Sequence, residues 1–429
     1  MGTLKISGRG VALAALIGAI AAPASAATLT TELSFSGYEG AIPSGGNLLF
    51  VNKAIYGAAY AGGANDLGAI YQFPTVPNGQ AAPLYSFTGL DGIHPNGSLA
   101  ADASGNLYGT TPAGGASNLG TVFKLTKPAT AGGAWTFTLL HDFAGGADGA
   151  IPQTGPTLGS DGTLYGTASR GGSGTALVCK TAIPTVITPD PNASSPTGCG
   201  TVFKVSPSGA FSIVHEFSGT YADGWYPSTN LVMDPAGDLI GATGAGLNES
   251  NAGYLFKVTP AKTYSVVTTF VVGGPVRPTG TIARDAVGNI YGMSLSFGPR
   301  FGPLGPGIFE VTAVTHKLML LASLSQQLST SGVTLDHAGN LYFTTNGAVT
   351  SVGAAGVPTG GGALFTMSHA AGTPIQLAAF TPANQSPTGS VIQDDSGNLW
   401  GQTGAGGKTC LTAFNPTAVG CGTLYAVSP

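Results

Sequence analysis

Short apolar runs alternate along this chain with clusters of Gly, Pro, Asn and Asp; over residues 95–143 they read PNGSLAAD, NLYGTT, GTVFKLT and FTLLHDF. Runs this short, rich in β-branched and aromatic residues and bounded by turn formers, predict strands rather than helices. The same succession returns, its second run rewritten as DGTLYGTA, GDLIGAT, GNIYGMS, GNLYFTT and GNLWGQT. Aligning these runs puts Tyr56, Tyr108, Tyr165, Ile240, Tyr291, Tyr342 and Trp400 in one column, at successive spacings of 52, 57, 75, 51, 51 and 58 residues. A period of about fifty residues, made of four short strands, predicts an all-β fold: a seven-bladed β-propeller with four antiparallel strands per blade.

The chain ends support this count. The last unit stops after its third run, GTLYAVS, while TLTTELSFSG at 28–37 matches the fourth runs APLYSFTG and FSIVHEFSG. The N-terminal strand is therefore expected to close the last blade and remove the exposed sheet edges of an open ring. Between first and second strands, five units carry Asp, two variable residues and Gly: Asp102 with Gly105, Asp234 with Gly237, Asp285 with Gly288, Asp336 with Gly339 and Asp394 with Gly397. This spacing suits a hairpin in which Asp accepts backbone amides and Gly takes a left-handed conformation. The two shorter turns hold Asn52-Lys53 and Asp161-Gly162. Tyr108 and Gly109 are read as packing positions, with Gly making room for a bulky neighbour.

Composition narrows the function. Of 429 residues only 8% are charged, the net charge is -4 and no Lys/Arg cluster occurs, which argues against nucleic-acid binding. Residues 1–26 place Lys5 and Arg9 before VALAALIGAIAA and then PASA, the pattern of a secretory signal cleaved after Ala26. The remaining residues 27–429 are expected to form one propeller domain with no membrane span, secreted, periplasmic or at the cell surface. Cys179 and Cys199 bracket one insertion and Cys410 and Cys421 another, each second Cys in the phrase GCGT. Two local disulfides fit an oxidising compartment, although spacing leaves other pairings open. Each would contribute on the order of 3 kcal/mol by restricting the unfolded chain. No zinc-type spacing, phosphate loop or nucleophile elbow occurs, so no metal and no cofactor are expected.

The phrase GNLYGTT, then Gly-Gly, then GTVFKL, resembles the GloVer-type tandem-repeat proteins, over essentially all of residues 27–429. The resemblance implies an exported, propeller-like protein and carries no assigned reaction.

Chemistry is sought where the repeats diverge. The loops YEGAIP, LDGIHP, ADGAIP and ADGWYP set Glu39, Asp91, Asp148 and Asp223 on four consecutive blades, on the face that also receives both Cys insertions. Later blades carry Arg277 in PVRP and Gln385 in NQSP at this level. Asp-Gly is a common turn pair and needs no ligand. His94, Trp225 and Tyr226 stand in the same column, and exposed rings beside carboxylates are one route to glycan recognition. The candidate ligand-binding set is thus Glu39, Asp91, His94, Asp148, Asp223, Trp225, Tyr226 and Arg277. His141 and His215 are read as outer-strand residues whose titration Asp142 and Glu216 could shift. The preferred expectation is a non-catalytic binding module for an extracellular polysaccharide or envelope component. The alternatives are a polysaccharide lyase or glycoside hydrolase using His94 with one of the aspartates, and a purely structural envelope protein.

Overall fold

The period of short strands becomes seven antiparallel sheets set in a ring, a seven-bladed propeller. The structure is a computed structural model that describes residues 27–43, 45–75, 79–174, 179, 197–220, 222–245, 252–270, 277–295, 306–324, 332–345, 361–368, 372–380, 386–410 and 420–428. The proposed signal, residues 1–26, and Gln385 lie outside the described residues. Blade 2 shows the common plan: an inner strand Ala100–Ala101, then Leu107–Thr111, Thr121–Thr126 and an outer strand Thr136–Asp142. In blades 1 and 4 the inner strand is broken in two, Ala41–Pro43 with Leu49–Val51 and Trp225–Pro227 with Val232–Met233.

The ring closes as expected. Thr28–Ser34 pairs antiparallel with Thr423–Ser428, the third strand of blade 7, with Leu29 opposite Val427 and Leu33 opposite Leu424. A bulge interrupts this pairing between Thr31 and Leu33, and the third-to-outer pairing of every other blade is interrupted in the same way. The N-terminal strand thus carries the local kink and extra twist of a true outer strand.

The hydrophobic core lies between blades. Each of seven buried clusters joins one adjacent pair, from the Phe87, Leu107 and Phe123 group between blades 1 and 2 to the Phe35, Ile55, Tyr71 and Leu424 group where blade 7 meets blade 1. The glycine after the column tyrosine makes this packing possible. A Cβ at Gly109 would lie inside the ring of Phe123 on the neighbouring strand, and Gly57, Gly166, Gly292 and Gly401 face Tyr71, Phe203, Phe309 and Tyr425 in the same way. Blade 6 solves the problem differently: Phe343 replaces the glycine and stacks on Phe365, with ring centroids 5.4 Å apart.

The repeated Asp builds more than a turn. Asp102 Oδ1 accepts the amides of Ser104 and Asn106 at 3.0 and 2.9 Å, while Oδ2 accepts Asn106 Nδ2 at 2.7 Å and the Tyr108 hydroxyl at 3.0 Å. Asn106 Oδ1 in turn accepts the Lys127 amide at 3.0 Å, tying the hairpin to the end of the third strand. Asp285 and Asp336 repeat the clasp, and at Asp394 the indole N–H of Trp400 takes the place of the hydroxyl. Burial alone would raise these carboxyls, but the bonds from Asn, amides and Tyr or Trp hold all four below the usual carboxylate range. A carboxyl depressed in the folded state gives stability that is complete above its unfolded pKa of about 3.9 and lost as pH falls through the folded value. Melting temperature is therefore expected to fall steeply below about pH 4, and Asp285→Asn should lower it at pH 7 while flattening the acid limb. Calorimetry across pH 2–7 checks both.

The axis is filled. Inner strands meet through parallel bridges, Thr229 with Gly280 and Thr281 with Gly332. Thr281 Oγ1 of blade 5 lies 3.0 Å from Ser390 Oγ of blade 7, and the Ser390 amide donates to Asn47 Oδ1 of blade 1 at 3.1 Å.

Candidate functional site

Each of the first four inter-blade loops leaves an outer strand after a buried Phe (Phe35, Phe87, Phe143 or Phe217) and reaches the next inner strand at Pro43, Pro95, Pro152 or Pro227. Glu39, Asp91, Asp148 and Asp223 hold equivalent positions in these loops, and each is engaged by its own turn. Glu39 accepts the Ser36 amide at 2.9 Å and hydroxyl at 2.6 Å. Asp91 accepts the Thr88 and Gly89 amides at 2.8 and 3.1 Å and the Tyr85 hydroxyl. Asp148 accepts the Ala144 amide at 2.7 Å, and Asp223 accepts the Ser218 amide and hydroxyl at 2.8 and 2.7 Å. The shared donor is the amide just after the buried Phe, so the acidic column caps the chain where it turns from one blade to the next.

Three outer strands add a ring to this cap. Tyr85 bonds Asp91, His141 Nε2 lies 3.0 Å from Asp148 Oδ1, and His215 Nε2 lies 3.4 Å from Asp223 Oδ2. The same rings stack on the next blade: Tyr85 on Phe137, His141 on Phe211 and His215 on Tyr264, at 4.4, 3.5 and 4.3 Å between centroids. Carboxylate, ring and neighbouring aromatic form an inter-blade clasp. Asp142 and Glu216, expected to act on the histidines, accept the amides of Ala116 and Ser173 at 2.9 and 2.6 Å. Burial pushes His141 below its ordinary pKa against the pull of Asp148 and, as expected, of Asp142. Burial raises the Asp223 carboxyl, but bonds from His215 and Ser218 hold it low.

The residue before each proline has an unexpected backbone. Ile42, His94, Ile151, Tyr226, Arg277 and Ser386 have φ of 52, 56, 57, 59, 53 and 58°. The left-handed region is unfavourable for any residue with a Cβ, and most for branched Ile. One bond type holds all six: their amides donate to Cys421, Leu67, Leu119, Cys199, Ala252 and Gly361 of the preceding blade, at 2.8–3.2 Å. Five kinds of side chain at six positions thus ride on one fixed backbone geometry.

Their surroundings revise the sequence picture. Trp225, open in the sequence to either ligand contact or packing over its own loop, is only 5% exposed and packs with Cys179, Cys199, Phe217 and Leu231. His94 is fully buried, stacked on Tyr60 at 4.2 Å with Nδ1 2.7 Å from the Tyr60 carbonyl oxygen. Burial pushes its pKa down, partly opposed by that carbonyl and by Asp66. Tyr226 is half-buried; its hydroxyl donates to Gln153 at 3.0 Å and its ring lies 5.5 Å from the Arg170 guanidinium carbon. Arg277 occupies the equivalent position at blade 5, also partly buried. Arg170 and Gln153 went unnoticed in the sequence, although Arg170 is an outlier in a column of Ala61, Ala113, Ala245 and Ala405. Both disulfides form, Cys179–Cys199 and Cys410–Cys421, with Cα atoms 5.0 and 5.6 Å apart. Among the described residues no group of three His, Cys, Asp or Glu could hold a metal ion.

The opposite face, which carries the hairpins, holds a groove that the sequence reading passed over. It occupies about 740 Å³ between blades 1 and 2 and is lined by Asn52, Tyr56, Gln72, Lys127 and Trp135, with residues 127–134 forming one wall. Tyr56 and Gln72 are opposed on neighbouring strands, so they share a blade surface. Trp135 meets Tyr56 edge to face at 6.1 Å. The available signal was length: the connection after the third strand spans 127–135 in blade 2, against 206–210 and 259–263 in blades 3 and 4. A second, shallower hollow of about 480 Å³ lies between the hairpins of blades 5 and 6, around Arg284, Asp285 and His337.

The fold is similar to that of several solved structures. An ulvan lyase of a polysaccharide lyase family, solved bound to a saccharide, is 12% identical with a TM-score of 0.50, covering 90% of this chain and 94% of its own. A luciferin-regenerating enzyme is 9% identical (TM-score 0.44; 94% and 95% covered), and a protein of unknown function from Dyadobacter fermentans is 12% identical (0.45; 93% and 97%). A search by sequence among curated proteins finds no match. The profile of the Gloeobacter/Verrucomicrobia repeat matches residues 15–178 and 191–414, and the chain therefore belongs to that repeat family.

Proposed function

We propose that this chain is an exported, non-catalytic module that binds a carbohydrate polymer in the groove between blades 1 and 2. The observation that carries the reading is the groove itself: a half-buried indole beside two amides and a lysine, in a volume suited to a few sugar rings. Indole and phenol surfaces take the apolar faces of sugars, and amides satisfy the hydroxyls around their edges. Two disulfides, and the absence of a helix long and apolar enough to cross a membrane among the described residues, are compatible with an extracellular protein. In this reading residues 1–26 serve as the cleaved secretory signal.

Trp225 and Trp400 are buried at 5% and 6% exposure, which leaves Trp135 as the tryptophan placed to sense a ligand. Titrating the protein with a panel of polysaccharides should shift tryptophan emission for at least one of them. Trp135→Ala should abolish the shift and weaken retention in affinity gels by about tenfold. Retention unchanged in the variant would remove the groove from the proposal, and cleavage products in any positive reaction would overturn its non-catalytic part.

A further inference from the structure

Arg170 sits on the disulfide-bearing face just after the second strand of blade 3, where blades 1, 2, 4 and 7 carry alanine. It is only 3% exposed, and its Nη2 is buried without a hydrogen-bond partner. The surrounding chain holds it firmly: its amide and carbonyl bond the carbonyl and amide of Ala150 at 3.0 and 2.9 Å. A guanidinium taken out of water without an acceptor is costly, so natural structures pair such groups. Among the described residues of this face the acids are engaged elsewhere: Asp148 by Ala144 and His141, Asp223 by Ser218 and His215, Glu216 by the Ser173 amide.

We propose that Arg170 anchors an oxyanion-binding site, taking a carboxylate or sulfate substituent of an acidic sugar. The geometry suits this ligand class. The guanidinium carbon lies over the Tyr226 ring at 5.5 Å, and that ring is itself fixed by a left-handed backbone and by the bond to Gln153. An arginine fork takes two oxygens of a carboxylate or sulfate in paired, charge-assisted bonds. The site is separate from the groove between blades 1 and 2 and does not depend on it.

Calorimetric titration of residues 27–429 with D-galacturonate, galactose 6-sulfate and galactose tests the assignment. At least one acidic sugar should bind while galactose does not, and whichever acid binds identifies the oxyanion. Arg170→Gln should abolish this binding, Arg170→Lys should weaken it about tenfold by keeping the charge and losing the fork, and Trp135→Ala should leave it unchanged. Equal binding of galactose, no binding of either acid, or acid binding unaltered in Arg170→Gln would each overturn the site. Should Arg170→Gln fail to fold, unaltered affinity in Arg170→Lys has the same force. The Trp135→Ala comparison separates loss of this site from loss of the groove.

Discussion

Deleting residues 27–36 is expected to prevent the protein from folding to a soluble ring, whereas removing residues 1–26 alone should not. The deletion strips the outer strand from blade 7, exposing the edge of Thr423–Ser428, and removes Phe35, which is fully buried where blade 7 meets blade 1. An exposed strand edge recruits other chains, and the Phe alone is worth about 3–5 kcal/mol on truncation to Ala, a large share of a typical net stability of about 5–15 kcal/mol. Soluble yield and gel filtration read the result. Adding TLTTELSFSG after the last strand of the truncated chain should restore the folded monomer, because the strand pairs with blade 7 whichever end supplies it. Failure of that rescue would show that the N-terminal segment does more than close the ring.

Gly109→Val should be strongly destabilising. Its branched side chain must enter space occupied by the ring of Phe123, itself fully buried against Phe87 and Phe137. Overpacking of this kind costs about 1–3 kcal/mol, and here the second and third strands are held in register on both sides of the glycine. Chemical denaturation should show that loss, and the double variant with Phe123→Leu should recover part of it. Additive losses in the double-mutant cycle would mean that glycine serves backbone conformation rather than room for the ring. Blade 6 has already made the exchange: Phe343 stands at this column, stacked on Phe365.

How far the candidate site was legible depended on whether the relevant property is local. Asp102 and its equivalents were read as turn residues and are, but the part played by Asn106 and Tyr108 in holding the same carboxylate became visible only with coordinates. The column Glu39, Asp91, Asp148 and Asp223 was placed on equivalent loops, and the structure adds that each caps its own turn. Trp225 illustrates the reverse case. Nothing in GWYP distinguishes a ring on the surface from one packed on a disulfide formed by residues far away in the chain.

The sequence by itself determined the number of blades, their strand order and the closing role of residues 28–37, while the pairing of the cysteines was settled by the structure. Those follow from period, alternation and turn chemistry, which act between residues near in sequence or equivalent by repetition. The tertiary structure decided what faces what. It turned the residues before the prolines into the left-handed region, filled the axis with Asn47, Thr281 and Ser390, opened a groove beside Trp135, and left Arg170 buried over Tyr226. These outcomes depend on contacts between different blades, where packing of particular side chains outweighs the local preferences that the repeat records.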